Sequence, residues 1–98
     1  MEIEKKADGS KLQMKISGRL DTVPSPQLEN EVKDIPAEIT DFSMDMKDLE
    51  YISSAGLRVL LTISKKMKGQ GKFTICNVNE SVKEIFDVTG FSDILTIV

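Results

Sequence analysis

The stretch Tyr51-Ile52-Ser53-Ser54-Ala55-Gly56-Leu57 decides the fold of this chain, because an extended segment there hands over to a helix through two serines and two small residues. Downstream, Leu57, Leu60, Leu61, Ser64 and Met67 recur at helical spacing. Ser53-Ser54 before them and Gly69 after them are start and stop signals, and Lys65, Lys66 and Lys68 suit the negative end of a helix dipole. Upstream, Phe42-Ser43-Met44-Asp45-Met46 alternates with period two, as a strand with one buried face does, and the chain turns at Lys47-Asp48-Leu49-Glu50.

The same arguments extend to both ends. Leu12, Met14 and Ile16 alternate with Lys11, Gln13, Lys15 and Ser17, which predicts a strand. Asp8-Gly9-Ser10 reads as a tight turn, so Ile3 and its neighbours pair antiparallel with that strand. In Pro24-Ser25-Pro26, Ser25 is placed to cap a helix with Pro26 as its first residue, and Leu28, Val32 and Ile35 face the core until Pro36 stops it. Phe73-Thr74-Ile75-Cys76-Asn77-Val78 reads as a buried strand, and Asn79 caps a helix with Val82, Ile85 and Phe86 inside and Gly90 at its end. Ile94-Leu95-Thr96-Ile97-Val98 is a short strand or a packed tail. The order β-β-α-β-α-β-α-β requires parallel neighbours with right-handed crossovers. It predicts one α/β domain over residues 1–98.

Composition removes whole classes of function. The chain of 98 residues carries 13 basic and 16 acidic side chains, a net charge of −3 with the signs interspersed, which argues against a nucleic-acid or anionic-membrane surface. MEIEKKADG lacks the apolar run of a leader, no segment is apolar enough to span a bilayer, and a cytoplasmic address is the default expectation. Histidine is absent, so Ser-His-Asp and Cys-His catalysis and the usual zinc and iron sites have no basis, and no cofactor or metal is expected. The single cysteine, Cys76, reads as a small core residue, and Met14, Met44, Met46 and Met67 as core packing. Gly69-Gln70-Gly71-Lys72 hints at a phosphate loop but lies between helix and strand, the reverse of the order such a loop needs.

The serine pair is the informative place. The first N–H groups of a helix lack internal partners and the dipole is positive there, so a phosphorylated serine is tolerated or favoured. The plain alternative is that Ser53 is only an N-cap. Asp21 serves the binding face or merely its own turn, and Asp45 is a sheet-end polar residue or a contact of the Ser54 loop.

Met44-Asp45-Met46 through Tyr51-Ile52-Ser53-Ser54-Ala55-Gly56-Leu57 resembles the signature of STAS-domain anti-sigma factor antagonists. Gly18-Arg19-Leu20-Asp21-Thr22 resembles that family's early loop, and Val82 through Gly90-Phe91 its last helix and terminal Gly-Phe. The resemblance covers essentially the whole chain. It implies a mixed β-sheet of four to five strands, opened by an antiparallel hairpin, with about three helices packed mainly on one face. It also implies a partner switch in bacterial transcription control. An anti-sigma factor that is a serine kinase phosphorylates one serine, a metal-dependent serine phosphatase removes the phosphate, and the unphosphorylated form is the binder. The matching acceptor is Ser54, with Ser53 as its competitor. Many members have aspartate before that serine and serine or threonine after it, where this chain has Ser53 and Ala55.

The expected partner face is Asp21, Thr22, Ser53, Ser54, Ala55, Gly56 and Leu57, with Asp48 and Glu50 adding negative charge nearby. The chain would then be a substrate of enzymes rather than an enzyme, and a weak homodimer is compatible with it. The rival readings are a STAS docking subunit of a secretion, signalling or lipid-transport machine, and a nucleotide-binding module.

Overall fold

The computed structural model describes residues 1–33 and 35–98. Strands β1 (Glu2–Asp8) and β2 (Lys11–Leu20) form the opening hairpin, with Asp8 opposite Lys11 and Glu2 opposite Ser17. Gly9 sits in the two-residue turn at φ 61°, a conformation that glycine takes without a Cβ penalty. β3 (Asp41–Asp45) runs parallel beside residues 11–15 of β2, and β4 (Leu49–Ile52) runs parallel beside its last residues, after a register shift between Gly18 and Arg19. β5 (Lys72–Cys76) pairs with β3, and β6 (Thr96–Ile97) with β5, both parallel. The helices are α1 (Ser25–Lys33), α2 (Ser54–Lys68) and α3 (Glu80–Thr89), followed by a 3-10 turn over Phe91–Asp93.

Alternation along the strands divides the sheet into a dry face and a wet one. Leu12, Met14, Ile16, Phe42, Met44, Phe73 and Ile75 are buried on one face beneath Leu28 and Val32 of α1, Leu57, Leu60, Ile63 and Met67 of α2, and Val82 and Phe86 of α3. Phe42 and Phe73, directly opposite across β3 and β5, hold their rings 5.1 Å apart and tilted by 40°. On the other face the register lines up rows of polar residues: Glu4, Lys15, Asp45 and Cys76, and beside them Lys6, Gln13, Ser43 and Thr74.

Several expectations change here. Among the described residues the sheet has six strands rather than four to five. The addition is β4, placed where a turn was expected, because Leu49 and Ile52 are buried while Glu50 and Tyr51 between them are exposed, which hides the strand period. Ser25 is the first residue of α1 and does not cap it; its N–H donates to the Asp21 carbonyl at 3.1 Å and its hydroxyl donates to the same oxygen. On α2 the buried stripe runs through Val59 and Ile63 as well as Leu57, Leu60 and Met67, whereas Leu61 and Ser64 lie at its margin. Cys76 is on the wet face and only half-buried, its Sγ 3.7 Å from the Met44 carbonyl. Burial, and then the Asp45 charge, push its thiol up from the ordinary range, so it stays protonated at neutral pH.

Asn79 does cap α3, and it does more. Its side-chain oxygen accepts from Val82 N–H at 3.0 Å, and its amide donates to the Leu49 carbonyl at 2.6 Å, tying the helix start to β4. Asn79→Ala removes both, and a loss of about 1–2 kcal/mol in urea unfolding is expected. Asn79→Asp, which keeps the cap and loses the donor, falls between.

Candidate functional site

The end of β4 and the start of α2 make two neighbouring serines chemically different. Ser53 is extended (φ −93°, ψ 174°) and half-buried. Its hydroxyl accepts from Gly56 N–H at 3.3 Å, its own N–H donates to the Leu20 carbonyl at 2.9 Å, and its carbonyl accepts from Leu57 N–H at 2.9 Å. Ser54, the first helical residue, is exposed, and its hydroxyl takes part in no hydrogen bond among the described residues. One hydroxyl is committed to capping the helix and the other faces water.

Gly56 sets this geometry. A Cβ at this position would lie 2.8 Å from both Leu20 Cγ and the Leu20 carbonyl, and 2.9 Å from Ile52 Cγ1. Only a residue without that carbon lets the first turn of α2 rest on the ends of β2 and β4, with Ser54 on the outer side.

The loop after β2 reaches the same place. Asp21 Oδ1 accepts from Val23 N–H at 3.3 Å, and Arg19 Nε lies 3.7 Å from Asp21 Oδ2. Asp21 therefore shapes the turn into α1 while its carboxylate remains partly exposed. Thr22 is exposed, and Val23 beside it is 86% exposed. Thr22 lines, with Ala55, Arg58 and Glu29, a depression of about 270 Å³ between α1 and α2. The Arg19 guanidinium stacks 4.5 Å over the Tyr51 ring on the neighbouring strand.

The mixed sheet opened by a hairpin, with three helices on one face, is an architecture that known proteins share. Residues 2–98 match the family model of the STAS domain. The chain belongs to the STAS domain family. It is 29% identical over 96 residues to the anti-sigma-B factor antagonist of Bacillus subtilis, covering 97% of this chain and 88% of that protein. Its fold is shared by an anti-sigma factor antagonist of Mycobacterium paratuberculosis at a TM-score of 0.83 and 19% identity, over 98% of this chain and 83% of that one. It is shared too by the anti-sigma factor antagonist SpoIIAA in its unphosphorylated form, at a TM-score of 0.77 and 13% identity, over 99% and 87% of the two chains.

Within this STAS domain the expected face is brought together in part. Thr22 and Ser54 are exposed, and Asp21, Ser53 and Ala55 are half-buried. Gly56 and Leu57 are buried and lie beneath the exposed residues of this face. Asp48 stands at the far end of β4 from Ser54, with its carboxylate 3.0 Å from Lys15 Nζ, and Glu50 shares a separate depression with Asn79 and Glu80. Asp45 does not reach the Ser54 loop; its carboxylate accepts from Lys47 N–H at 2.8 Å and closes the turn after β3. Of the three carboxylates expected there, Asp21 is the one whose loop meets the junction of β4 and α2, next to the Leu20 carbonyl that accepts from Ser53 N–H.

Val23, Arg58 and the Arg19–Tyr51 stack are members of this surface that the sequence pattern did not single out. The available signal for Val23 was an apolar residue between Thr22 and Pro24 in a loop with no alternation to bury it. Among the described residues no cluster of His, Cys, Asp and Glu could hold a metal ion, and no helix is long and apolar enough to cross a membrane.

Proposed function

We propose that this STAS domain is an anti-sigma factor antagonist: unphosphorylated, it binds an anti-sigma factor that is also a serine kinase and so releases the sigma factor, and phosphorylation at Ser54 turns binding off. A metal-dependent serine phosphatase resets the switch. The names of the Bacillus subtilis relative and of the structural neighbours support the partner class. The observation that carries the choice of residue is the contrast within the serine pair, a Ser53 hydroxyl engaged with Gly56 N–H beside an exposed Ser54. A kinase needs a hydroxyl it can surround and deprotonate. The capped serine offers its oxygen only at the cost of the helix start.

Intact-mass analysis after incubation with the cognate anti-sigma kinase and ATP tests this directly. Wild type and Ser53→Ala gain one phosphate, and Ser54→Ala gains none. A phosphate on Ser54→Ala but not on Ser53→Ala would move the switch to the capping serine, and absence of phosphate from all three would leave a docking module without a switch.

A further inference from the structure

We propose that Arg58 holds the phosphoryl group that the preceding reading puts on Ser54, so that phosphorylation both adds negative charge at the helix start and draws a cation away from the surface beside Thr22. The inference rests on Ser54 being the modified residue. Ser54 and Arg58 are four residues apart on α2, and both are exposed. Residues at that spacing share one helix face with Cβ atoms about 5–6 Å apart, and helical side chains lean toward the N-terminus, which carries the guanidinium back over the first turn.

Arg58 is available for this. The ion pairs among the described residues involve Lys5, Lys15, Arg19 and Lys72, and none involves Arg58. It is also the only basic residue between Ser54 and Leu60. The carboxylate lining the same depression is Glu29 of α1, which does not come within ion-pair distance. A phosphoserine dianion carries more charge than that carboxylate and presents three acceptor oxygens to a planar fork of donors. The guanidinium therefore turns from the cleft between α1 and α2 toward its own helix start. Ala55 and Thr22, which line the depression with it, lose their basic neighbour at the same moment.

The full chain carrying phosphoserine at position 54, made by semisynthesis, tests the contact by titration of its ³¹P resonance. A cation held against the phosphate favours the dianion, so the wild-type phosphate titrates at lower pH than that of Arg58→Gln, by about half a pH unit for an exposed pair. Arg58→Lys recovers part of the difference, since an ammonium supplies the charge without the fork. Lys65→Gln, about two turns beyond Arg58 on α2, keeps the wild-type midpoint. Equal midpoints for wild type and Arg58→Gln overturn the proposal, and so does a shift in Lys65→Gln as large as that in Arg58→Gln, which would mean diffuse charge alone. Because the phosphate is installed chemically, failure of a kinase to modify Ser54 would sink the functional reading and leave this titration untouched.

Discussion

Phosphorylated on Ser54, the chain binds the anti-sigma factor more than about a hundredfold more weakly than the unmodified chain, whereas Ser54→Ala binds about as well as wild type. Ser54 is exposed at the first position of α2, so a partner that covers this face must strip water from whatever stands there. A hydroxyl costs little to desolvate; a phosphate with about −1.5 to −2 charges costs several kcal/mol, and about 1.4 kcal/mol is a factor of ten. Asp21, whose carboxylate shares the face, adds repulsion of the same sign. Ser54→Glu, with one charge and two oxygens, weakens binding by less than the phosphate does. Calorimetric titration of each form with the purified anti-sigma factor at one fixed ionic strength gives the comparison, and equal affinities for the phosphorylated and unmodified chains would end the switch model.

What was legible in the sequence follows from what each signal encodes. Leu12, Met14 and Ile16, like Phe42 and Met44, alternate with polar residues because one face of the sheet lies under helices and the other meets water. That difference is local and survives in the pattern. β4 is not legible, because four residues with buried Leu49 and Ile52 at the ends and Glu50 and Tyr51 exposed between them have the look of a turn; what makes them a strand is β2, thirty residues earlier, and its shift at Gly18. The stripe on α2 fails for another reason. Apolar residues at 57, 59, 60, 61 and 63 fit two neighbouring helix faces, and only the position of the sheet selects Val59 and Ile63 over Leu61. Cys76 shares the parity of Thr74 rather than that of Phe73 and Ile75, and reads as core only because cysteine is a small hydrophobe; pairing with Asp45 places it on the wet face.

The site was legible to the extent that it is made of helix-start chemistry. A serine pair before a helix, followed by two small residues, announces a cap and a closely approached backbone, and the capped Ser53 and the buried Gly56 fulfil both. Which serine caps depends on where α2 begins, a matter of one residue that pattern does not resolve. The partners of Gly56, Leu20 and Ile52, come from two other strands, and the cleft that brings Arg58 to Thr22 and Glu29 is made by the packing of α1 on α2. Contacts between elements far apart in the chain leave no trace in the spacing of either one.

Gly71→Ala destabilises the domain by about 3 kcal/mol or more, at the upper end of what overpacking does, out of a total of roughly 5–15 kcal/mol for a domain of this size. The phosphate-loop resemblance of Gly69-Gln70-Gly71-Lys72 hides the real reason for the second glycine. A Cβ there would lie 2.0 Å from the Thr40 carbonyl oxygen and 2.6 Å from Thr40 C and Cα, all of it backbone. That backbone cannot withdraw cheaply. The Thr40 carbonyl accepts from Lys72 N–H at 2.9 Å, Thr40 N–H donates to the Ser10 carbonyl at 2.9 Å, and the Gln70 amide between the two glycines donates to the Pro36 and Ile39 carbonyls. Displacing Thr40 therefore disturbs the point where β3 and β5 enter the sheet side by side, Asp41 opposite Lys72. Gly69, two residues earlier in the same loop, has φ −85° and its nearest neighbour at 3.8 Å, so Gly69→Ala changes stability by no more than about 0.5 kcal/mol in either direction. Urea unfolding of the two variants beside wild type separates the explanations: a large loss confined to Gly71→Ala marks a steric seat against Thr40, while equal losses would mean that the loop needs flexibility at both positions and that the close approach is not what keeps glycine there.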